Sequence, residues 1–544
     1  MKPLTLEEVI EAVEGTCDRP MPPGSVTRVV TDSRAVERGD LFVAVRGARF
    51  DGHDFAGEAF ARGAMAAVVR SSFEVPAPVR QRLRRRGVPP DALLIRVDDP
   101  VQAMGRLARY YRRSVMGRSV AVVAVTGSNG KTTTKAMIAH VLEGRWQGKA
   151  AAKSFNNEIG VPLTLLSVGP SDAFVVCEVG TNAPGEIAAL AGLVEPEVAV
   201  ITGVSEAHLE GLGTLEKIAV EKLSLLHHLR PDGRVVLNAD CEVLRSGLER
   251  DRELAGVTRV TFGEWPEADF RLTDLRLVST GGPEGAEEEN ERGRVGEWET
   301  DSRSDGERRA PGDERWEERG GPREWVPAHM EFTVNGRFRY SLRVPGRHNV
   351  FNALAAIGVA RRFSMDHEEI AGRLATFTLP PMRLGFERVG PLVLINDAYN
   401  ANPASLTAAV EVLLETPANG RRVLILGDMR ELGPASERLH REAAERIGSS
   451  GVDLVIAIGE NAKLVSKTIE TVSEGSIETH AYASVALARR RLVSYLRDGD
   501  TILIKGSRVL ALEKLVTVIR GGAGSLPRRP SPRRRSPSPA RLTV

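Results

Sequence analysis

The stretch Ala121–Lys135, AVVAVTGSNGKTTTK, constrains this chain more than any other. Val120–Val125 is a run of β-branched and small apolar residues that reads as a buried strand. The run breaks at Gly127 and Gly130, and a helical pattern begins at Lys131. A strand, a glycine loop and a helix N-terminus in succession make an anion site. Loop N–H groups converge there and the helix dipole adds positive potential. Thr126, Gly127, Ser128, Asn129, Gly130, Lys131, Thr132 and Thr133 are thus the expected cradle for ATP phosphates. Lys131 is spaced to reach the β- and γ-phosphates and the Thr132 hydroxyl to hold Mg²⁺. Val125 stands where the longer G-x-x-x-x-G-K-[ST] pattern has its first glycine. An ordinary glycine turn capping a helix is the alternative, but the strand–loop–helix context points to an ATP user.

The chain has 544 residues, which suggests about three domains of ordinary size. An apolar fraction of 42% supports real cores, and with aromatics at 5% those cores rest on Val, Leu, Ile and Ala. A net charge of +2 argues neither for nor against a polyanionic partner. Cys17, Cys177 and Cys241 lie far apart, without disulfide or zinc spacing, as in a reduced cytoplasmic chain. No apolar run is long enough to span a bilayer, so no membrane insertion is expected.

Residues 1–114 read as a small α/β ligand-binding module opened by a Thr5/Glu8 capping box. Its basic, Pro-ended segment Gln81–Pro90 reads as a solvated loop. Residues 115–380 alternate strand and helix after the phosphate loop, the signature of a mostly parallel, doubly wound sheet. Within them, 281–325 is dominated by charge and glycine and is expected to be a disordered insertion. A hairpin around Asn335–Gly336 should follow. Residues 381–520 alternate again, predicting a second open, Rossmann-like sheet with Asp397, Asp428 and Lys505 at or just past strand ends, where ligands collect. Residues 521–544 are Pro-, Ser- and Arg-rich and read as an extended basic tail. The fold class is therefore α/β in three domains.

Outside the loop, four places carry chemistry. Glu178 closes the apolar strand AFVVCEV, where a nucleotide-bound Mg²⁺ needs a carboxylate; a strand-end acid facing water is the alternative. Lys222 shares the apolar stripe of Leu215, Ile218, Ala219, Leu226 and Leu229 on a helix predicted over 215–229. It either snorkels to solvent or is partly buried with its ammonium form disfavoured, and the pattern alone favours snorkelling. A neutral amine could add carbon dioxide and become a carbamate, a carboxylate-like ligand. His208 lies in a loop and reads either as a metal or phosphate ligand or as polar surface. The loop Phe155–Pro162, with Asn156 and Asn157, could hold a fixed shape and bond a ligand.

Together these pieces resemble the Mur ligase family of bacterial cell-wall synthesis. GSNGKTTTK is similar to its ATP loop, FNNEIGVPLTLL to its second motif, and EVGTNAPGEI to its Mg²⁺ strand. HLEGLGTLEKIAVEKLSLL sets His208 and Lys222 where the family has a histidine and a lysine carbamylated in several members. RHNVFNALAA resembles the adenine-side motif, with Asn349 and Asn352; DAYNANPASL and LIKGSR resemble the C-terminal signatures. GTNAPGEI, DAYNANPAS, LGDMRELG and KGSR are most similar to the member that adds D-alanyl-D-alanine to UDP-N-acetylmuramoyl-tripeptide. TDSRAVERGDLFVAVRGARFDGHDF, with Ser33 and Arg34, resembles a UDP-binding module.

The resemblance implies a two-step amide synthesis. The tripeptide carboxylate takes the γ-phosphoryl of ATP to give an acyl phosphate, and the dipeptide amine then displaces phosphate. It implies Lys131, Glu178, His208 and Lys222 as catalytic residues. Two Mg²⁺ are implied, one on Thr132 and Glu178 and one on His208 and a carbamate of Lys222. Asp397 is implied at the ATP ribose, Arg383 at phosphate, and Ser33, Arg34, Asn156, Asn157, Tyr399, Asn400, Asn402 and Lys505 at the substrates. A monomer without nucleic acid is expected. A folate-polyglutamylating ligase or a non-catalytic nucleotide-binding relative is the alternative, and the UDP-type N-terminal module argues against the first.

Overall fold

A computed structural model describes residues 1–17, 20–21, 23–47, 50–74, 93–279 and 328–525. The segment Gln81–Pro90, the expected insertion at 281–325 and the tail from 526 onward lie outside the described residues. The chain divides into two compact units. The first comprises chiefly Met1–Val278, His329–Pro380 and the four residues Glu431–Pro434; the second comprises chiefly Pro381–Arg430 and the residues from Ala435 onward.

In the first unit, Thr5 forms the expected capping box with Glu8, starting the helix Leu6–Val13. Val29–Val30, Leu41–Val43, Ala66–Arg70 and Leu93–Val97 then pair in chain order as a parallel sheet. The helix predicted to close this region spans Pro100–Tyr110 and passes into a wider π turn, Tyr111–Met116.

The larger sheet of this unit has nine strands among the described residues. From Gly148–Ala150 at one edge it runs through Phe174–Glu178, Ala121–Thr126, Val198–Ile201, Arg234–Asn238, Thr258–Gly263 and Phe270–Ser279 in parallel, then ends in an antiparallel hairpin. The hairpin turns at Asn335 and Gly336, both with positive φ (55° and 67°), as the Asn-Gly pair requires. Its strands are Ala328–Val334 and Phe338–Leu342. Thr258–Gly263, Phe270–Ser279 and Gly148–Ala150 have no counterpart in the sequence reading: they are half-exposed or short, so the continuous apolar signal is missing.

Alternate residues of the strand Ala121–Thr126 feed two separate cores. Val122 and Ala124 pack on one face, Val123 and Val125 on the other. Burial on both faces explains the unbroken apolar run. Strand order reverses at this strand, since the chain first builds Phe174–Glu178 on one side and then Val198–Ile201 on the other. Such a switch point opens a crevice beyond the carboxyl ends of the strands.

The second unit holds six strands among the described residues, in the order Gly385–Val389, Leu392–Asp397, Thr501–Lys505, Arg422–Gly427, Leu454–Ile458 and Glu478–Tyr482. All neighbours are parallel except the first hairpin. Two short helices, Val485–Ala488 and Leu492–Tyr495, flank the Arg489–Arg491 run, which interrupts the apolar stripe that would otherwise join them. The helix Glu513–Gly522 continues into the glycine-rich stretch, with Ile519 and Ala523 both buried four residues apart.

Candidate functional site

The glycine loop leaves its strand at the switch point and is stitched to the segment after Val198–Ile201. Thr202 N–H donates to Thr126 O at 3.0 Å, and the Thr202 hydroxyl donates to Asn129 O at 2.5 Å. Ser128 N–H donates to Gly203 O at 2.9 Å, Ser205 N–H donates to Ser128 Oγ at 3.0 Å, and Asn129 Nδ2 donates to Ser205 Oγ at 2.9 Å. Thr126 is fully buried. A Cβ on Gly127 would collide with the Thr202 hydroxyl, so glycine there follows from the close approach.

Gly130 (φ 79°) starts the helix Lys131–Leu142 without a side-chain cap, leaving the positive end of the dipole to an external anion. The Lys131 ammonium donates to Gly127 O at 2.8 Å, so the side chain lies along the loop. Thr132 and Thr133 are both buried, and Thr132 Oγ1 lies 3.3 Å from Ser154 Oγ. Asn349 and Asn352 reach this helix from Arg347–Arg362. Thr134 Oγ1 donates to Asn352 Oδ1 at 3.0 Å, Asn352 Nδ2 to Asn349 Oδ1 at 3.3 Å, and Asn349 Nδ2 to Pro345 O at 2.8 Å.

Glu178 pairs in register with Val125, one residue before the loop begins. It is 1% exposed, so it does not face water. Asn156 Nδ2 donates to its Oε1 at 3.1 Å, and Lys135 Nζ stands 3.2 Å from Oε2, which accepts no hydrogen bond. Asn157 instead closes an Asx turn, accepting from Ile159 N–H at 3.3 Å and Gly160 N–H at 3.0 Å. Lys135 ends the opening stretch but carries no role in the sequence reading, although its place four residues after Lys131 puts both on the same helix face.

Lys222 does not snorkel. It is 1% exposed on the helix Leu215–Leu223, which ends six residues short of the predicted 215–229 span by tightening into a 3₁₀ turn at Ser224–His228. Burial, reinforced by the Lys131 charge, pushes its pKa well below the usual lysine range, with Glu221 opposing. The neighbouring Glu221 accepts from Gly185 N–H at 2.7 Å and Ile187 N–H at 2.8 Å, capping the helix Glu186–Val194 from outside. That anchor fixes which way the Lys222 helix faces. His208, at positive φ (59°), has Nδ1 2.7 Å from Glu431 Oε2 within the first unit. The adjacent histidine holds the Glu431 carboxyl below its ordinary pKa.

A nucleotide-bound Mg²⁺ takes only one or two protein oxygens, the remainder coming from phosphates and water. Glu178 Oε2, buried yet without a hydrogen bond, and the Thr132 hydroxyl fit that demand. Among the described residues no group of three or more His, Cys, Asp or Glu side chains forms a metal cluster. No helix among them is long and apolar enough to cross a membrane.

In the second unit, Lys505 Nζ donates to Asp397 Oδ2 at 2.5 Å and to Asn400 O at 3.1 Å, while Leu384 N–H donates to Asp397 Oδ1 at 3.2 Å. The Arg383 guanidinium lies 4.0 Å above the Tyr399 ring. Asn400 Oδ1 accepts from Ala401 N–H, and Asn402 caps the helix Pro403–Glu415 in a box with Ser405. In the N-terminal region, Ser33 Oγ donates to Glu58 at 3.4 Å, and Arg34 makes three hydrogen bonds to Asp32, two from its guanidinium and one from its backbone N–H. Those bonds hold the Asp32 carboxyl down to about 2.

Comparison with known proteins matches the Mur ligase middle domain over residues 125–289, the Mur ligase glutamate ligase domain over 382–508 and the Mur ligase family catalytic domain over 25–112. A UDP-N-acetylmuramoyl-tripeptide–D-alanyl-D-alanine ligase of Bacillus subtilis (strain 168) is 31% identical over 94% of this chain and 97% of its own. The ligase of that name from Escherichia coli (strain K12) is 32% identical over 90% and 93%. Among solved structures, MurF from Acinetobacter baumannii superposes with a TM-score of 0.76 at 26% identity, covering 96% of this chain and 99% of that one.

Proposed function

The chain belongs to the Mur ligase family, and we propose that it is the ATP-dependent ligase that joins D-alanyl-D-alanine to UDP-N-acetylmuramoyl-tripeptide. The observation that carries this reading is that Gly127–Thr132, Glu178 and Lys222 lie in one unit, with Lys222 buried within the electrostatic reach of Lys131. A phosphate cradle, a buried carboxylate and a buried amine whose charged form is disfavoured belong to one unit.

A free carboxylate acylates poorly, so phosphoryl transfer from ATP must activate it first. The carboxylate oxygen of the tripeptide attacks the γ-phosphorus and ADP leaves. The dipeptide amine then adds to the acyl carbon, and inorganic phosphate departs with the electron pair of the broken C–O bond. Lys131 offsets charge on the transferring phosphoryl group, and the uncapped helix N-terminus at Gly130 orients its neighbours. Glu178 and Thr132 would hold one Mg²⁺, and His208 with a carbamate of Lys222 a second. Mg²⁺ supplies charge neutralisation between the nucleotide phosphates and the acceptor carboxylate. The carbamate forms when the neutral Lys222 amine adds CO₂ and releases a proton.

Residues 1–114 are assigned to the UDP end of the acceptor through Ser33 and Arg34, and 115–380 to ATP with Asn349 and Asn352 at the base. Residues 381–520 are assigned to closure and the incoming amine through Arg383, Asp397, Tyr399, Asn400, Asn402 and Lys505. Asn156 and Asn157 are assigned to the acceptor. The enzyme is placed in the cytoplasm as a monomer, where its nucleotide-linked acceptor and ATP coexist.

The test is phosphate release with ATP, UDP-N-acetylmuramoyl-tripeptide and D-alanyl-D-alanine, omitting each in turn. Release is expected only with all three. Release with a single amino acid in place of the dipeptide would overturn the assignment.

A further inference from the structure

Lys135 has no part in the chemistry above, yet it is 3% exposed in the middle of the site. Its ammonium donates to the carbonyls of Ala151, at 2.7 Å, and Lys153, and it stands 3.2 Å from Glu178 Oε2. Both hydrogen-bond acceptors therefore come from the segment after the edge strand Gly148–Ala150, and the carboxylate that the ammonium faces closes the strand Phe174–Glu178. The segment 151–157 also reaches the phosphate helix at Thr132 and the strand end at Glu178. Ser154 Oγ lies 3.3 Å from Thr132 Oγ1, and Asn156 Nδ2 donates to Glu178 Oε1 at 3.1 Å. Asn156 O also accepts from Gly180 N–H at 2.8 Å, two residues beyond Glu178.

A buried carboxylate is costly to leave without a positive partner. Lysine heads usually move on a flexible four-carbon stem. Here two backbone carbonyls pin the head, so Glu178 faces a stationary charge. Oε2 accepts no hydrogen bond, which leaves its lone pairs open beside that charge. Oε1 is held from the other side by Asn156. The carboxylate is thus oriented at both oxygens.

We propose that Lys135 is a positioning residue: it neutralises Glu178 inside the protein and locks that carboxylate and the segment 151–157 in one arrangement against the start of the phosphate helix. This inference rests on reading Glu178 as a Mg²⁺ oxygen. Partners that orient a metal-binding carboxylate are typically worth about 10–100-fold in metal affinity. Removing the Lys135 charge should loosen divalent-metal binding even though it deletes a nearby positive charge. A lysine acting merely as a local repulsive charge would give the opposite sign.

The experiment titrates Mn²⁺ into the full chain with ADP and follows free Mn²⁺ by electron paramagnetic resonance. Wild type is compared with Lys135→Gln, Glu178→Gln and the double variant, each checked by circular dichroism. Lys135→Gln is expected to weaken Mn²⁺ binding about tenfold or more and to speed amide exchange across 151–157. The double variant should bind within about twofold of Glu178→Gln, because Lys135 acts through Glu178. Unchanged or tighter binding in Lys135→Gln, with Glu178→Gln weakened, overturns this inference and leaves the metal reading standing. Unchanged binding in Glu178→Gln overturns the metal reading and this inference with it. Should Lys135→Gln fail to fold, a double variant that folds supports the role, since the unpaired Glu178 charge was then the fault. A double variant that also fails overturns it in favour of carbonyl anchoring alone.

Discussion

Asp397 and Lys505 sit directly opposite each other on parallel neighbouring strands, and the ammonium meets Asp397 Oδ2 at 2.5 Å with both residues buried. Removing one partner strands a charge in the interior, at a typical cost of about 3–5 kcal/mol, whereas removing both with apolar residues of similar size costs far less. Asp397→Ala should lower the stability of the second unit by about 3 kcal/mol, and Asp397→Leu/Lys505→Met by less than half of that. Urea denaturation followed by circular dichroism reads both. Equal losses would mean the pair is not the source of the effect.

Lys131→Ala should reduce ATP-dependent phosphate release at least about 100-fold, the scale of losing one charge-stabilising donor. Its hydrogen bond to Gly127 O is worth about 1 kcal/mol, so the melting temperature should shift by only a few degrees. A large stability loss with proportionate activity loss would make the residue structural.

The buried Lys222 gives a signed pH dependence. Its pKa is depressed in the folded chain, so the unfolded chain binds the proton first as pH falls below the ordinary value of 10.5. Stability present above that pH is therefore lost progressively as pH falls toward the depressed value. Lys222→Met should be more stable than wild type at neutral pH in CO₂-free buffer, and the advantage should vanish as pH approaches 10.5. Stability curves measured between neutral and alkaline pH test this; parallel curves refute it.

Lys222→Ala should be inactive, and a short-chain carboxylic acid in the buffer should restore part of the phosphate release. The small acid would supply the oxygens that the proposed carbamate would provide. Without any rescue, the carbamate role fails.

Gly130→Ala combines a left-handed backbone (φ 79°) with a collision against the Asn352 amide. Left-handed geometry alone costs an L-residue about 1–2 kcal/mol. The variant should lose at least that much stability and bind ADP more weakly by calorimetry, because Asn352 must release the Thr134 hydroxyl. ADP binding equal to wild type would show that the loop tolerates the methyl group.

Legibility in the sequence followed apolar continuity. Ala121–Thr126 and Leu454–Ile458, buried on both faces, announce themselves as strands, while Thr258–Gly263 and Glu478–Tyr482 carry mixed polarity and do not. The Lys222 burial was hidden because a lysine on an apolar stripe has the same spacing whether its head escapes or not. Only packing decides that, and here the Glu221 anchor at Gly185 and Ile187 removes the escape. Likewise Asn402 carries a motif asparagine's appearance while capping its own helix, a use that a single sequence reveals only through Ser405 three residues on. Lys135 shows the opposite failure. Its position was in plain view, but its partners at 151, 153 and 178 are brought together only by sheet order.

The cap that Glu221 places on Gly185 and Ile187 makes the adjoining lysine intolerant of sliding. Inserting or deleting a single residue within 215–221 would turn the helix by about 100° against its neighbour. Lys222 would leave its buried position and the helix Glu186–Val194 would lose its anion at once. Point changes along this stretch can be absorbed one side chain at a time, whereas length changes cannot. Variation in chain length is thereby directed to segments beyond this helix, and the buried lysine keeps its address while those segments drift.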